Sequence, residues 1–143
     1  MRYWDASAVV SLLVNDRFSA RSRDLLAEDS RVATWWLTKV ECASALNRLV
    51  RDGALTEDRL SDCLSTLESL ANTWVEVQPI AQVRSIALRL LRIHSLRAAD
   101  AMQLAGAIAV AAEDRQSIPF VCYDDRLLRA ADREGFPVLG ATP

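Results

Sequence analysis

Met1-Arg2-Tyr3-Trp4-Asp5-Ala6-Ser7-Ala8-Val9-Val10 reads as a short strand that ends on an acid and passes directly into a helix. The aromatic pair Tyr3 and Trp4 suits a pleated, half-buried surface, and the run Val9, Val10, Leu12, Leu13, Val14 suits a helix packed on it. The same unit recurs down the chain. Strands are predicted over 1–5, 31–35, 74–77, 119–123 and 136–139. Helices are predicted after Asp5, from Arg21 to Glu28, and over 38–52, 56–71, 80–93, 98–113 and 125–134. Gly53 stands where a C-terminal cap glycine belongs. Thr56 opens the following helix, which carries Leu60, Cys63, Leu64, Leu67 and Leu70 on one face. Strands alternating with helices predict an α/β fold with a mainly parallel sheet of about five strands. Right-handed crossovers place the carboxyl ends of such strands on one edge, where the active sites of open α/β sheets gather.

Four acids fall on that edge: Asp5, Glu41, Asp100 and Asp124. Each has a structural account of its own. Asp5 can make a turn into the helix that follows, with Ser7 capping it or bracing a metal-bound water. Thr38-Lys39-Val40-Glu41 has the pattern of a capping box, in which Thr38 and Glu41 satisfy each other's backbone donors. Asp100 lies in the first turn of an Ala-rich helix containing Gly106, where the helix dipole favours an acid. Its neighbours Ala98, Ala99, Ala101 and Met102 read as buried, so an unpaired carboxylate there calls for a cation. Asp124 or Asp125 can cap the last helix, and spacing does not choose between them. Jointly the four are harder to dismiss. Crowded carboxylates repel unless a cation neutralises them, and oxygen-only ligands suit Mg²⁺ or Mn²⁺. Dipoles at three helix starts are expected to keep these acids ionised at neutral pH, as metal ligands must be.

The bulk numbers narrow the class. With 143 residues the chain is expected to be one domain, residues 1–143, with a real core. A net charge of −2 does not describe a basic nucleic-acid clamp, although sixteen of the seventeen cations are Arg, whose fork geometry suits phosphate. Cys42, Cys63 and Cys122 form no CxxC pair and are read as reduced thiols in a cytoplasmic protein. No signal peptide is visible, and the longest apolar stretch, Leu104 to Ala112, is too short to span a membrane. His94 is the only histidine, which excludes a ribonuclease using two histidines as acid and base, and it reads as a helix-end residue. No Gly-rich phosphate loop or nucleophile elbow is present.

Four segments together resemble the PIN domain, and specifically the VapC-type ribonuclease toxins of type II toxin–antitoxin systems. Tyr3-Trp4-Asp5-Ala6-Ser7-Ala8 resembles the first motif of that family, and Thr38-Lys39-Val40-Glu41 the second. Arg97-Ala98-Ala99-Asp100-Ala101-Met102-Gln103-Leu104-Ala105 is the most specific match, and Val121-Cys122-Tyr123-Asp124-Asp125-Arg126-Leu127 resembles the fourth. The family usually carries Thr or Ser where this chain has Cys122, which cannot offer the same hydroxyl bond. The resemblance covers essentially the whole chain and implies a three-layer α/β/α sandwich with Asp5, Glu41, Asp100 and Asp124 as the catalytic acids. It implies a metal-dependent endoribonuclease that leaves a 5′-phosphate and a 3′-hydroxyl, forms a homodimer, and is inhibited by a small antitoxin whose tail covers the acidic groove.

On that reading Asp5, Glu41 and Asp100 hold one Mg²⁺ or Mn²⁺, and Asp124 completes the site or orients a second ion. Arg97 and Arg126 flank two of the acids and are candidate contacts to RNA phosphates, as is Arg48, which shares a helical face with Glu41. Of Trp35 and Trp36, one is expected in the core and the other free to stack on a base or meet a partner. Two other readings compete. A haloacid-dehalogenase-like phosphatase needs a second Asp two residues after the first, where this chain has Ser7, and a receiver domain needs a late Lys, whereas Lys39 is the only one. A catalytically silent RNA- or protein-binding scaffold has no need of all four acids.

Overall fold

The computed structural model describes residues 1–112 and 114–140. The last position of the helix predicted over 98–113, Glu113, lies outside them, as do residues 141–143 of the expected 1–143 domain. In chain order the elements are β1 (Arg2–Trp4), α1 (Ala6–Leu13), α2 (Ser19–Glu28), β2 (Val32–Trp35), α3 (Thr38–Arg51), α4 (Glu57–Ala71) and β3 (Val75–Val77). They continue with α5 (Ala81–Ile93), α6 (Ala98–Ala111), a 3₁₀ turn (Arg115–Ser117), β4 (Phe120–Val121), α7 (Asp125–Arg133) and β5 (Val138–Leu139). The sheet runs β3-β2-β1-β4-β5, and all four pairings are parallel.

Alternation along the central strands divides the molecule into three layers. Tyr3, Ala33, Trp35 and Phe120 face one core, shared with Leu90 of α5, Leu104 of α6 and Leu127 of α7. Trp4, Val32 and Val121 face the other, shared with Val9, Leu25, Cys42 and Leu67 of α1 to α4. Trp35 is the expected core tryptophan and Trp36 the exposed one. On the first face α6 lies close against the sheet. A methyl group on Gly106 would sit 2.7 Å from the Tyr3 hydroxyl oxygen, so only glycine fits there without displacing Tyr3.

The strands are shorter than the sequence pattern predicts, and their ends explain why. Pro119 and Pro137 have no N–H to donate, so β4 and β5 begin one residue later, with the Pro119 and Pro137 carbonyls still accepting from Tyr3 and Phe120 at 2.9 and 2.8 Å. At the other end, Asp5 and Asp124 turn the chain out of the sheet by capping the helices that follow. Chain order leaves β1 in one direction to β2 and β3, and later returns on its other side to β4 and β5. The crevice beyond the carboxyl ends of β1 and β4 is therefore the topological switch point. No helix among the described residues is long and apolar enough to cross a membrane.

Candidate active site

Asp5 follows the carboxyl end of β1 at that crevice. It is 4% exposed, and its Oδ1 accepts from the Ser7 hydroxyl at 2.7 Å and the Ala8 amide at 3.1 Å. Burial pushes its pKa up to about 6, against the pull of these bonds. Asp5, not Ser7, is the cap of α1. Ser7 instead joins two strand ends: it donates to Asp5 and accepts from the Tyr123 amide at 2.9 Å.

Glu41 sits in the first turn of α3, but the capping box does not form. The α3 cap position is Leu37, with no side-chain bond to the helix. The Thr38 hydroxyl lies 2.6 Å from that of Thr34, which in turn reaches the Trp4 carbonyl at 2.8 Å. Glu41 is held by Gln103 of α6, whose Nε2 donates to Glu41 Oε2 at 3.1 Å and to Thr38 Oγ1 at 2.9 Å. Tyr3 donates to Gln103 Oε1 at 3.2 Å. Both amide hydrogens and the carbonyl of Gln103 thus have partners, which fixes the amide's orientation. Burial holds the Tyr3 phenol far above its ordinary pKa, with Asp5 and Glu41 adding to it, so the phenol remains a donor. Gln103 is 1% exposed. Its place in Arg97-Ala98-Ala99-Asp100-Ala101-Met102-Gln103-Leu104-Ala105 does not by itself assign it a role. The available signal is its position three residues after Asp100, which puts both on one face of α6.

Asp100 is half-buried in the first turn of α6, where its Oδ2 accepts from the Arg97 amide at 3.4 Å. Burial raises its pKa first, and the nearby Asp124 adds to that, while Arg97 and Arg126 pull it back. Burial likewise raises Glu41, with a contribution from Asp100. Asp100 therefore lies within electrostatic reach of Glu41 on one side and Asp124 on the other. Desolvation outweighs the hydrogen bonds and raises the pKa of Asp5, Glu41 and Asp100, and Asp5, at about 6, remains mostly ionised at neutral pH.

Asp124 is exposed and caps α7, its Oδ1 accepting from the Arg126 and Leu127 amides at 2.9 Å each. Of the two adjacent acids it is Asp124 that acts on Asp100, which favours it over Asp125 as the fourth member. Cys122 lies behind it, fully buried. The Asp124 amide donates to its Sγ at 3.3 Å and the thiol points to the Asp124 carbonyl at 3.5 Å. Burial, followed by Asp5, pushes this thiol far up, so it stays neutral. All three cysteines are free and buried.

Other sequence candidates lie elsewhere. Arg48 lines a cavity of about 510 Å³ between α1, α3 and the segment leading into α4, with Val10, Leu49 and Arg59. His94 caps the C-terminus of α5 and bonds Glu134 at 2.9 Å. The donor set at the switch point is all carboxylate oxygen, and three of its members carry pKa values raised by burial, with a neighbouring acid adding to it at Glu41 and Asp100. That chemistry fits a hard divalent cation. Among the described residues, however, no three Asp, Glu, His or Cys side chains already converge closely enough to form a metal cluster.

A parallel α/β domain with acids gathered at its switch point defines a class of small acid-edged α/β proteins, and the comparisons specify the family within it. Residues 2–133 match the family model described as PIN domain, and the chain belongs to the PIN-domain family. It is 35% identical over 111 residues to Ribonuclease VapC45 of Mycobacterium tuberculosis (strain CDC 1551 / Oshkosh), covering 76% of this chain and 75% of that protein. The same figures hold for Ribonuclease VapC49 of Mycobacterium tuberculosis (strain ATCC 25618 / H37Rv). Two solved structures share the fold. PAE2754 from Pyrobaculum aerophilum superposes with a TM-score of 0.61 at 24% identity, over 91% of this chain and 79% of that one. A chain of FitAB bound to an IR36 DNA fragment superposes with a TM-score of 0.64 at 18% identity, over 98% and 94%.

Proposed function

We propose that the chain is a divalent-metal-dependent endoribonuclease, the toxin of a toxin–antitoxin pair, folded as one domain over residues 1–143. The observation that carries this is the set of carboxylates Asp5, Glu41, Asp100 and Asp124 at the switch point, three of them withdrawn from water with no cationic partner in bonding contact among the described residues. Asp5, Glu41 and Asp100 would hold Mg²⁺ or Mn²⁺, with Asp124 completing the site or orienting a second ion. A divalent cation among these oxygens supplies polarisation of the scissile phosphate and a water of lowered pKa. The protein's share is placement. Ser7 and the Ala8 amide fix Asp5, Gln103 fixes Glu41, and the α7 cap fixes Asp124. Arg97 and Arg126, which both act on Asp100, are positioned to attract the phosphate that the acids would repel.

The 35% identity to proteins named ribonucleases supports the choice of RNA over other phosphodiesters. On the same reading the protein is cytoplasmic, forms a homodimer, and is silenced by a small antitoxin that covers the acidic edge. The test is cleavage of total RNA by the purified chain with Mn²⁺, with Mg²⁺ and with EDTA, beside Asp5→Asn and Asp100→Asn. Discrete metal-dependent fragments absent from both variants are expected. Folded, antitoxin-free protein that cleaves nothing with either metal would replace this reading by the silent scaffold.

A further inference from the structure

Beside the acidic edge lies a second feature that the carboxylates do not account for. Arg126, Arg129 and Arg133 project from α7 at helical spacing and line one groove of about 220 Å³ with His94, Ser95 and Leu96 of the α5–α6 connection. The arginines are exposed, and Ala130 between them leaves the groove open. Among the described residues none of the three makes an ion pair, whereas Arg2, Arg31, Arg59 and Arg89 all do. Arg126 stands in the first turn of its helix, where the dipole disfavours a cation, so helix stability does not explain its place. The acid nearest the groove's far end, Glu134, is already engaged from behind. Arg89 Nη2 reaches its Oε2 at 2.8 Å and the His94 ring its Oε1 at 2.9 Å. Burial raises its pKa, but these two partners outweigh that and hold it below the usual range, so it stays ionised with its charge paired to Arg89.

We infer that the α7 arginine ladder and the His94–Leu96 loop form a phosphate track that carries the RNA backbone away from the acidic edge. Rungs at 126, 129 and 133 span about 10 Å along the helix axis, a row of cations facing a repeating polyanion. The track starts beside the acidic edge, because Arg126 stands in the first turn of α7 and its amide donates to Asp124 Oδ1 at 2.9 Å. Contacts of this kind fix register and direction and carry no base sequence. An acidic peptide would also meet the arginines, but a chain that continues into the carboxylate edge must bring phosphates there for cleavage, which favours RNA. The inference rests on the ribonuclease reading and extends it from Arg126 to Arg129 and Arg133, outside the four motifs.

The test measures binding of a fluorescent single-stranded RNA to the full chain in EDTA over a salt series. Arg129→Gln/Arg133→Gln is compared with the charge-matched control Arg23→Gln/Arg51→Gln, whose residues lie on helices packed on the other face of the sheet. Each phosphate contact to a single strand contributes about 0.7 to the slope of log K against log salt. The groove pair is expected to lower the slope magnitude by about 1.4, and Arg129→Lys/Arg133→Lys to restore it, with melting temperatures unchanged. An unchanged slope, an equal loss in the control pair, or a loss confined to binding of an acidic peptide would each overturn the track. If the unaltered chain cleaves RNA in Mn²⁺ while the groove pair keeps the full slope, only the track fails. If it neither binds nor cleaves RNA, the ribonuclease reading fails with it.

Discussion

Asp5 and Glu134 are both carboxylates largely withdrawn from water, and the protein treats them in opposite ways. Glu134 has an 8% exposed side chain gripped by Arg89 and His94, and these partners bring its pKa below normal. Asp5 is 4% exposed and receives neutral donors, the Ser7 hydroxyl and the Ala8 amide among them, and burial brings its pKa to about 6. The first arrangement is complete in itself. The second leaves negative charge uncompensated in a place where desolvation is costly. A structural ion pair and the proposed cation site are thus distinguished by what surrounds the acid, not by the acid.

The largest separation of the two should come from neutralising each acid. Asp5→Asn is expected to lower metal-dependent RNA cleavage by about 10²–10³-fold, the scale seen when one preorganised electrostatic group is removed. In the absence of metal it should raise the melting temperature, because it removes a desolvated charge. Glu134→Gln should do the reverse: cleavage stays within a few-fold, and stability falls by roughly 1–3 kcal/mol as Arg89 and His94 lose a charged partner. Cleavage assays and thermal melts of both variants check this. A destabilised, fully active Asp5→Asn would dissolve the distinction.

Titration should sharpen the same contrast. Asp5 binds its proton more tightly folded, at about 6, than unfolded, at about 3.9. Between those values the folded state holds more protons, so stability is highest below the lower one and is lost as pH rises through the upper one. The loss amounts to about 3 kcal/mol from this group, with Glu41 and Asp100 acting in the same direction. Glu134, whose pKa is lowered, contributes stability present above its unfolded pKa and lost as pH falls through the folded value. Denaturant melts across pH 4 to 7 should therefore fall in EDTA. The fall should shrink with Mn²⁺ at millimolar concentration, which binds only the folded, ionised site. A stability profile insensitive to Mn²⁺ would remove the cation from the site.

Next in size is the residue that aims Glu41. Gln103→Leu leaves the Tyr3 hydroxyl and Thr38 without their partner and releases Glu41, so a 10- to 100-fold fall in cleavage is expected, the usual scale for a group orienting a ligand. Gln103→Glu is expected to be as poor, since it adds a fourth buried negative charge beside Glu41. Stability of the Leu variant should fall by roughly 1–3 kcal/mol. Rates matching the unaltered chain would show that Glu41 needs no guide.

This network also marks where sequence reading ends. Five strands and the edge they share were legible because short apolar runs stop at acids and give way to helical spacing. Asp5 and Asp124 were legible for the same reason, and Glu41 and Asp100 because each falls in the first turn of a helix. The partner of Glu41 was not. Thr38-Lys39-Val40-Glu41 has the spelling of a capping box whether Glu41 folds back on its own helix or reaches across to α6, and only the approach of α6 decides. That approach depends on Gly106, whose missing methyl makes room for the Tyr3 hydroxyl. Gln103 lies among Ala, Leu and Gly, where composition describes a core helix and conceals an amide. The arginine spacing on α7 is plain in sequence, but the groove needs the α5–α6 connection, seated by the His94–Glu134 bond, which joins residues forty apart.

The smallest expected effect concerns Cys122, the one departure from the family's usual Thr or Ser. Its thiol sits between the two strand ends that carry Asp5 and Asp124, 3.9 Å from the Ser7 hydroxyl oxygen and 3.3 Å from the Asp124 amide nitrogen. Sulfur is a weak acceptor and donor, so these contacts are soft versions of hydroxyl bonds. Cys122→Ser offers stronger bonds in a smaller volume. The two effects oppose each other, and a net stability change within about 1 kcal/mol is expected, with cleavage altered only a few-fold. Because the folded thiol is buried and neutral, it should also resist iodoacetamide at pH 8 until the protein unfolds. Rapid alkylation of the native chain at Cys122 would mean that this corner opens to solvent. Loss of cleavage in a well-folded Cys122→Ser would make the thiol part of the site instead of its backing, and would place Cys122 with Asp5 on the functional side of the comparison.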